Sequence, residues 1–251
     1  MSRMLRGAAG HATALLFCLS LAAPARAANF TVNPMQISLS PSVRSGVVTI
    51  KNTSNDELRF QVSAYEWDQD DHGGIKLSST GSLIVFPQLL TLPPGAQRQI
   101  RIGTDTTATG SEQSYRVFFE ELPASKATVG SGVQMRTRIG LPVFVRPQGA
   151  LSAALQIHDL RAVDGKIAVE VKNTGKAHTT VDSVKVVGLD AAGKTIYTKD
   201  VAGWYVLPNR STIYEVDVAG AGCSAASFSA IVVAGGKTIT DKWSGTVPGC
   251  R

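Results

Sequence analysis

Cysteine, aromatic residues and long apolar runs are all scarce in this chain, and each scarcity excludes a class of protein. Three cysteines in 251 residues are too few for a disulfide-dense scaffold or a set of zinc fingers. Aromatics are 6% of the residues and do not interleave with Lys/Arg clusters, so no nucleic-acid partner is expected. The histidines His11, His72, His158 and His178 are scattered, and no ligand set forms around them, so no metal is expected. His158 lies beside Asp159, but neighbours on a strand point to opposite faces. No Gly-rich phosphate loop, His-Glu-x-x-His, Gly-x-Ser-x-Gly or Cys-x-x-Cys occurs. An enzyme and a cofactor are therefore not expected. The segment Asp68–Gly74 loosely resembles a calcium loop, yet Ser79 stands where the closing Glu belongs, so it reads as a solvated turn.

What is present begins with an address. Arg3 and Arg6 precede a short apolar run, Thr13–Ala23, and Ala25-Arg26-Ala27 has the small-x-small form of a cleavage site. Residues 1–27 read as a secretory signal peptide, too short in its apolar part for a span of about 20 residues. No later run is long enough either, so no integral membrane segment is expected after cleavage. Arg3, Arg6 and Arg26 leave with the signal and no acid does, which lowers the net charge from +6 to +3. Cys18 leaves too. Cys223 and Cys250 remain, and in an oxidising compartment such a pair is expected to form a disulfide.

The rest reads as short strands. Val48-Thr-Ile50, Arg59–Tyr65, Gln99–Ile102 and Tyr115–Phe119 alternate or are rich in β-branched and aromatic residues, with Gly/Pro/Asn/Asp turns between them. A repeat runs through them. Val48-Thr-Ile-Lys-Asn-Thr53 resembles Val169-Glu-Val-Lys-Asn-Thr174, and Leu92-Pro-Pro-Gly95 is echoed by Leu207-Pro-Asn-Arg210. The offsets, 121 residues from Asn52 to Asn173 and 115 from Leu92 to Leu207, are close enough to imply two domains of one plan. The expected fold is all-β, two immunoglobulin-like sandwiches of about 100 residues each, with the boundary at Arg146-Pro-Gln-Gly149. The expected domains are 28–147 and 148–251.

The stretch from Gly132 to Pro147 carries the functional question. Its odd positions, Val133, Met135, Thr137, Ile139, Leu141, Val143 and Val145, form one strand face that is apolar apart from Thr137. The opposite face carries Arg136, Arg138 and Arg146. An apolar strand face must be covered, either by the chain's own core or by another protein.

Four motifs resemble one family in order and spacing. They are Leu92-Pro-Pro-Gly-Ala96 with Ile100-Arg-Ile102, Phe118-Phe-Glu-Glu-Leu-Pro123, Val143-Phe-Val-Arg-Pro147 and Thr238-Ile-Thr-Asp241. The chain resembles the PapD-like periplasmic chaperones of pilus and fimbrial subunits, and Ile139-Gly-Leu-Pro-Val143 is similar to their archaic or alternative branch. The resemblance implies a boomerang of two immunoglobulin-like domains in the periplasm of a Gram-negative bacterium. It implies partners as well: pilus or fimbrial subunits, bound by donor-strand complementation, and an outer-membrane usher reached while the subunit is bound. Val133, Met135, Thr137, Ile139 and Leu141 would be the donor strand, with Val143 and Leu141 shading into the chain's own core. The short Ala124–Ser131 connection suits the short-loop kind of chaperone. The family's two basic cleft residues fall at Gln36 and Pro142 here; members of the archaic branch carry an Arg on the penultimate strand of the first domain, and the resemblance implies Arg116 as the clamp for the terminal carboxylate of the subunit, with Arg138 as helper. Glu121, Arg146 and Asp241 match an inter-domain ion-pair network. The competing reading is a secreted adhesin or carbohydrate-binding sandwich, which needs exposed aromatic platforms. Trp67 is available, but Trp204-Tyr205 and Trp243 read as core or turn packing.

Overall fold

The computed structural model describes residues 30–123 and 136–250. The signal segment, Val133 and Met135 lie outside the described residues. Among the described residues eighteen strands form four sheets, beside one short 3-10 helix, η1 (Gly220–Ser224). All strands of the first two sheets fall between Phe30 and Val145, and all those of the other two between Leu155 and Ser244.

The first sheet orders β1 (Phe30–Asn33), β3 (Ser45–Asn52), β8 (Gln97–Gly103) and β6 (Ile84–Phe86). The second orders β2 (Ile37–Leu39), β10 (Arg138–Val145), β9 (Gln113–Glu121), β4 (Leu58–Gln69) and β5 (Ile75–Ser79), and β7 (Leu89–Leu92) also pairs with β4. Alternation fills the space between them: Val48, Ile50, Ile100 and Ile102 from one sheet meet Phe60, Val62, Val117, Phe119, Leu141 and Val143 from the other.

The second pair repeats the plan. One sheet orders β11 (Leu155–Val163), β12 (Lys166–Asn173) and β16 (Ser211–Asp217). Its mate orders β14 (Thr195–Ala202), β13 (Thr179–Leu189), β17 (Ser227–Ala234) and β18 (Lys237–Ser244), with β15 (Tyr205–Val206) on β13. A core of Ile167, Val169, Val171, Val184, Val186, Phe228 and Val232 closes it. The disulfide Cys223–Cys250 ties η1 to the chain end.

The repeated motifs turn out to be one device. Asn52 is fully buried and donates from Nδ2 to the Leu92 and Pro93 carbonyls at 2.9 and 3.1 Å. Asn173, also fully buried, donates to the carbonyls of Ala177 and Val206, the latter at 3.0 Å and directly before Leu207. Each Asn ends a strand and donates to backbone carbonyls at a Leu-Pro turn. The repeat in sequence is thus a repeat of buried polar satisfaction.

The sandwiches meet through residues whose parity is wrong for their own cores. Along β4 the buried positions switch from Leu58, Phe60 and Val62 to Trp67 and Gln69, which moves burial to the other face of the strand. Phe144 does the same on β10. Trp67, Phe144 and Leu207 form a third apolar cluster with Tyr205 against it. Each such side chain contributes roughly 1.5–3 kcal/mol when buried. Polar links surround the cluster. Gln69 donates to the Tyr205 carbonyl and accepts from the Leu207 amide, both at 2.8 Å, and Arg210 forks onto Asp68 with two bonds of 2.6 Å. The Asp68–Gly74 turn therefore docks on the second sandwich, where the Ile213 amide also reaches the His72 carbonyl.

Candidate functional site

Antiparallel pairing of β9 and β10 sets the site. Tyr115, Val117 and Phe119 face the first core, so Arg116 points the other way, towards the second sandwich. It sits opposite Pro142 in the β10 register. Arg116 is 6% exposed, and its Cζ lies 4.2 Å from the centroid of the Trp67 ring and 5.5 Å from that of Trp204. Both distances are within cation–π range. Its Nε and Nη2 are buried without a hydrogen-bond acceptor, and so is the Trp67 indole Nε1. Burial lowers the Arg116 guanidinium below its usual pKa, with only the weak field of Tyr205 acting against that. A guanidinium stays charged even so, which leaves a buried cation with unused donors.

Two small features shape the approach. A Cβ at Gly140 would come within 2.7 Å of the Phe118 ring and 3.3 Å of Arg116 Nη1, so a side chain there would crowd the guanidinium. Gln36, just before β2, accepts from the Tyr205 hydroxyl at 3.5 Å.

The edge of β10 is the second part of the site. β2 runs parallel to β10 but pairs only with Val143, Phe144 and Val145. Arg138–Pro142 have β9 on one side and no strand on the other among the described residues. These residues present the unpaired backbone groups of an open edge.

The expected site residues separate accordingly. Ile139 is half-buried against the first core, and Thr137 is half-buried with its amide near Glu121 Oε2 at 3.3 Å. Leu141 is fully buried in the chain's own core, so its assignment as a lending residue is corrected: a side chain enclosed there cannot fill another protein. Arg138 is not at Arg116's side. It pairs with Glu120 at 3.5 Å and stacks on Phe118 at 3.8 Å, four positions along β10 from Pro142, which is about 13 Å of strand.

The ion-pair network also needs correction. Arg146 donates from Nε to Glu112 Oε2 at 3.0 Å, not to Glu121 or Asp241. The register gives the reason. Val145 lies opposite Gln113, so Arg146 follows on to Glu112, while Glu121 sits at the far end of β9. Asp241 is on β18 opposite Ala230, at an exposed sheet edge. Glu112 also accepts from the backbone amide of His178 at 3.0 Å and is hydrogen-bonded to its Nδ1. The His178 ring stacks on Phe144 with centroids 3.4 Å apart. Burial raises the Glu112 carboxyl, but the His178 bonds and Arg146 outweigh it and hold the group below its usual pKa.

Trp67, Trp204, Tyr205 and Glu112 were absent from the sequence-derived site. Trp243 packs against Phe228 as expected of a core residue, whereas Trp204 is 42% exposed and lies on Arg116.

Residues 29–151 match the N-terminal domain of PapD, a pili and flagellar-assembly chaperone. These residues, the first sandwich, belong to the PapD-like chaperone family. Solved structures give the fold independently of that match. A chain of the CsuC–CsuE chaperone–tip adhesion subunit pre-assembly complex, from the archaic Csu pili of Acinetobacter baumannii, superposes with a TM-score of 0.62 at 20% identity. That match covers 86% of this chain and 98% of the other. The Salmonella enterica SafA pilin complex with the SafB chaperone gives 0.56 at 15%, covering 88% and 98%. The CupB2 chaperone of Pseudomonas aeruginosa gives 0.54 at 16%, covering 85% and 99%. No curated protein matches the chain in sequence. The PapD-like fold is two immunoglobulin-like β-sandwiches, and the family's members are chaperones. Among the described residues no helix is long and apolar enough to cross a membrane.

Proposed function

We propose that this chain is a periplasmic chaperone that captures pilus or fimbrial subunits by strand donation and delivers them to an outer-membrane usher. In this reading residues 1–27 are the signal peptide, 28–147 the donating domain and 148–251 the second domain. The open edge of β10 beside a buried, unpartnered Arg116 carries the proposal. A subunit that lacks a strand exposes an apolar cleft and unpaired backbone. Val133, Met135 and Ile139 fill the cleft, Thr137 contributes less, and the backbone ahead of Pro142 supplies the pairing.

The direction of the incoming strand follows from β2. A subunit strand that continues the line of β2 and runs parallel to β10 ends, at its C-terminus, against Gln36. The Pro142–Arg116 pair lies one residue before the Val143–Ile37 pair, so the terminal carboxylate arrives at the Arg116 cleft. A guanidinium with two free donors suits it. Arg138, already paired with Glu120, is a secondary helper at most. A sugar-binding role would need a free aromatic platform, whereas Trp204, though 42% exposed, has the Arg116 guanidinium over its ring.

The test is co-expression with small secreted proteins encoded beside this gene. The expected result is co-purification of a pilin-like subunit, lost when Met135→Arg and Ile139→Arg are combined. No captured subunit, or an unchanged yield with the double variant, would sink the proposal.

A further inference from the structure

Arg116 comes from the first sandwich, but its surroundings do not. Trp67 backs the guanidinium from β4 and is 2% exposed. The second aromatic contact, Trp204, belongs to the segment that joins β14 to β15 in the second sandwich. That segment is held firmly. The Trp204 amide donates to the Tyr214 hydroxyl at 3.2 Å, and the Gly203 amide donates to the Asp182 carbonyl at 3.3 Å. A Cβ on Gly203 would stand 1.9 Å from the Val181 carbonyl oxygen, so the chain passes there against backbone. Burial pushes the Tyr214 hydroxyl up to about 12, which keeps it protonated at any working pH. Tyr205 meets Trp204 edge to face at 5.4 Å.

Arg116 Nε and Nη2 and the indole Nε1 of Trp67 are buried donors without partners, with the unpartnered hydroxyl of Ser114 two residues along the same strand face. A ligand that satisfies these donors must bring acceptors, which describes a carboxylate. Resting on the proposed capture of a subunit by its terminal carboxylate, we infer that Trp204 is the positioning residue for that group. Its ring lies over the guanidinium, holds it against Trp67 and excludes water, so that the charge acts across a low-dielectric gap. The anion site is therefore complete only when both sandwiches contribute, and the second sandwich sets how selectively a carboxylate is held.

The experiment uses the mature chain with 15N-labelled arginine and follows the Arg116 Nε–H resonance, assigned by its loss in Arg116→Lys. N-acetylleucine supplies a carboxylate, and N-acetylleucinamide is its uncharged twin. The wild type should show a saturable shift with the acid and none with the amide. Trp204→Ala should weaken the acid about five- to ten-fold, within the range of one lost cation–π wall, and Trp204→Phe should restore binding to within about two-fold. Trp204→Ala with unchanged acid affinity overturns the inference while leaving Arg116 as the clamp. So does equal binding of acid and amide by that variant at wild-type strength. A wild type that does not distinguish acid from amide overturns the clamp itself, and the inference with it.

Discussion

Glu112 shows how one side chain holds two domains together. Its side chain is fully buried, and it takes donors from Arg146 of the first sandwich and from the backbone and ring of His178 of the second. Its carboxyl lies below its usual value because these bonds outweigh burial. A depressed carboxyl contributes stability above its ordinary pKa, and that contribution is lost as pH falls through the lowered value. Glu112→Gln should therefore cost about 2 kcal/mol at about pH 7, the scale of hydrogen bonds to a charged group. The gap to wild type should narrow at an acidic pH, as the carboxyl protonates. Denaturant unfolding at the two pH values checks this, and an equal gap at both would mean that the charge of Glu112 is not what stabilises the junction. Arg116 is the opposite case. Its buried donors have no acceptor, so Arg116→Ala should leave the melting temperature nearly unchanged: the lost cation–π contacts are offset by removing a buried, unpaired charge.

At the scale of elements, the strands were legible because alternation is strong in β3, β8, β9 and β10. The repeat around Asn52 and Asn173 was visible too, although its cause, a buried amide satisfying a Leu-Pro turn, is a tertiary fact. What stayed hidden depends on register. Once Pro142 is known to face Arg116, counting outwards along the antiparallel pair leads to Glu112 opposite Arg146. Without the register, only the resemblance was available, and it implied Glu121. Trp204 was hidden for a further reason: a strand-like context cannot tell an aromatic that fills its own core from one that reaches across a junction. The Cys223–Cys250 pair needed only compartment logic. It closes 27 residues and fastens η1 to the tail that follows β18. Replacing both cysteines by serine should remove about 3 kcal/mol. Thermal melting should record this as a fall of about 10 °C. A melting temperature that does not move would show that the core of the second sandwich holds this tail unaided.

Taken whole, the molecule is two similar sandwiches that use the same internal device and different outer faces. The first presents the open edge of β10 and the cation of Arg116 at one place. The second closes that place with Trp204, Tyr205 and the His178 link. Strand donation explains why an unpaired edge and an unpartnered guanidinium lie together. Separately, each would be a liability in water. The most direct measurement is backbone hydrogen exchange of the mature chain, alone and with a captured subunit. Strand donation predicts that amides across 133–142 slow markedly on capture, while β12 and β17 in the core of the second sandwich keep their rates. Protection that appears instead along β6, where Ile84 and Phe86 are exposed, with 133–142 exchanging as in the free chain, would contradict the account.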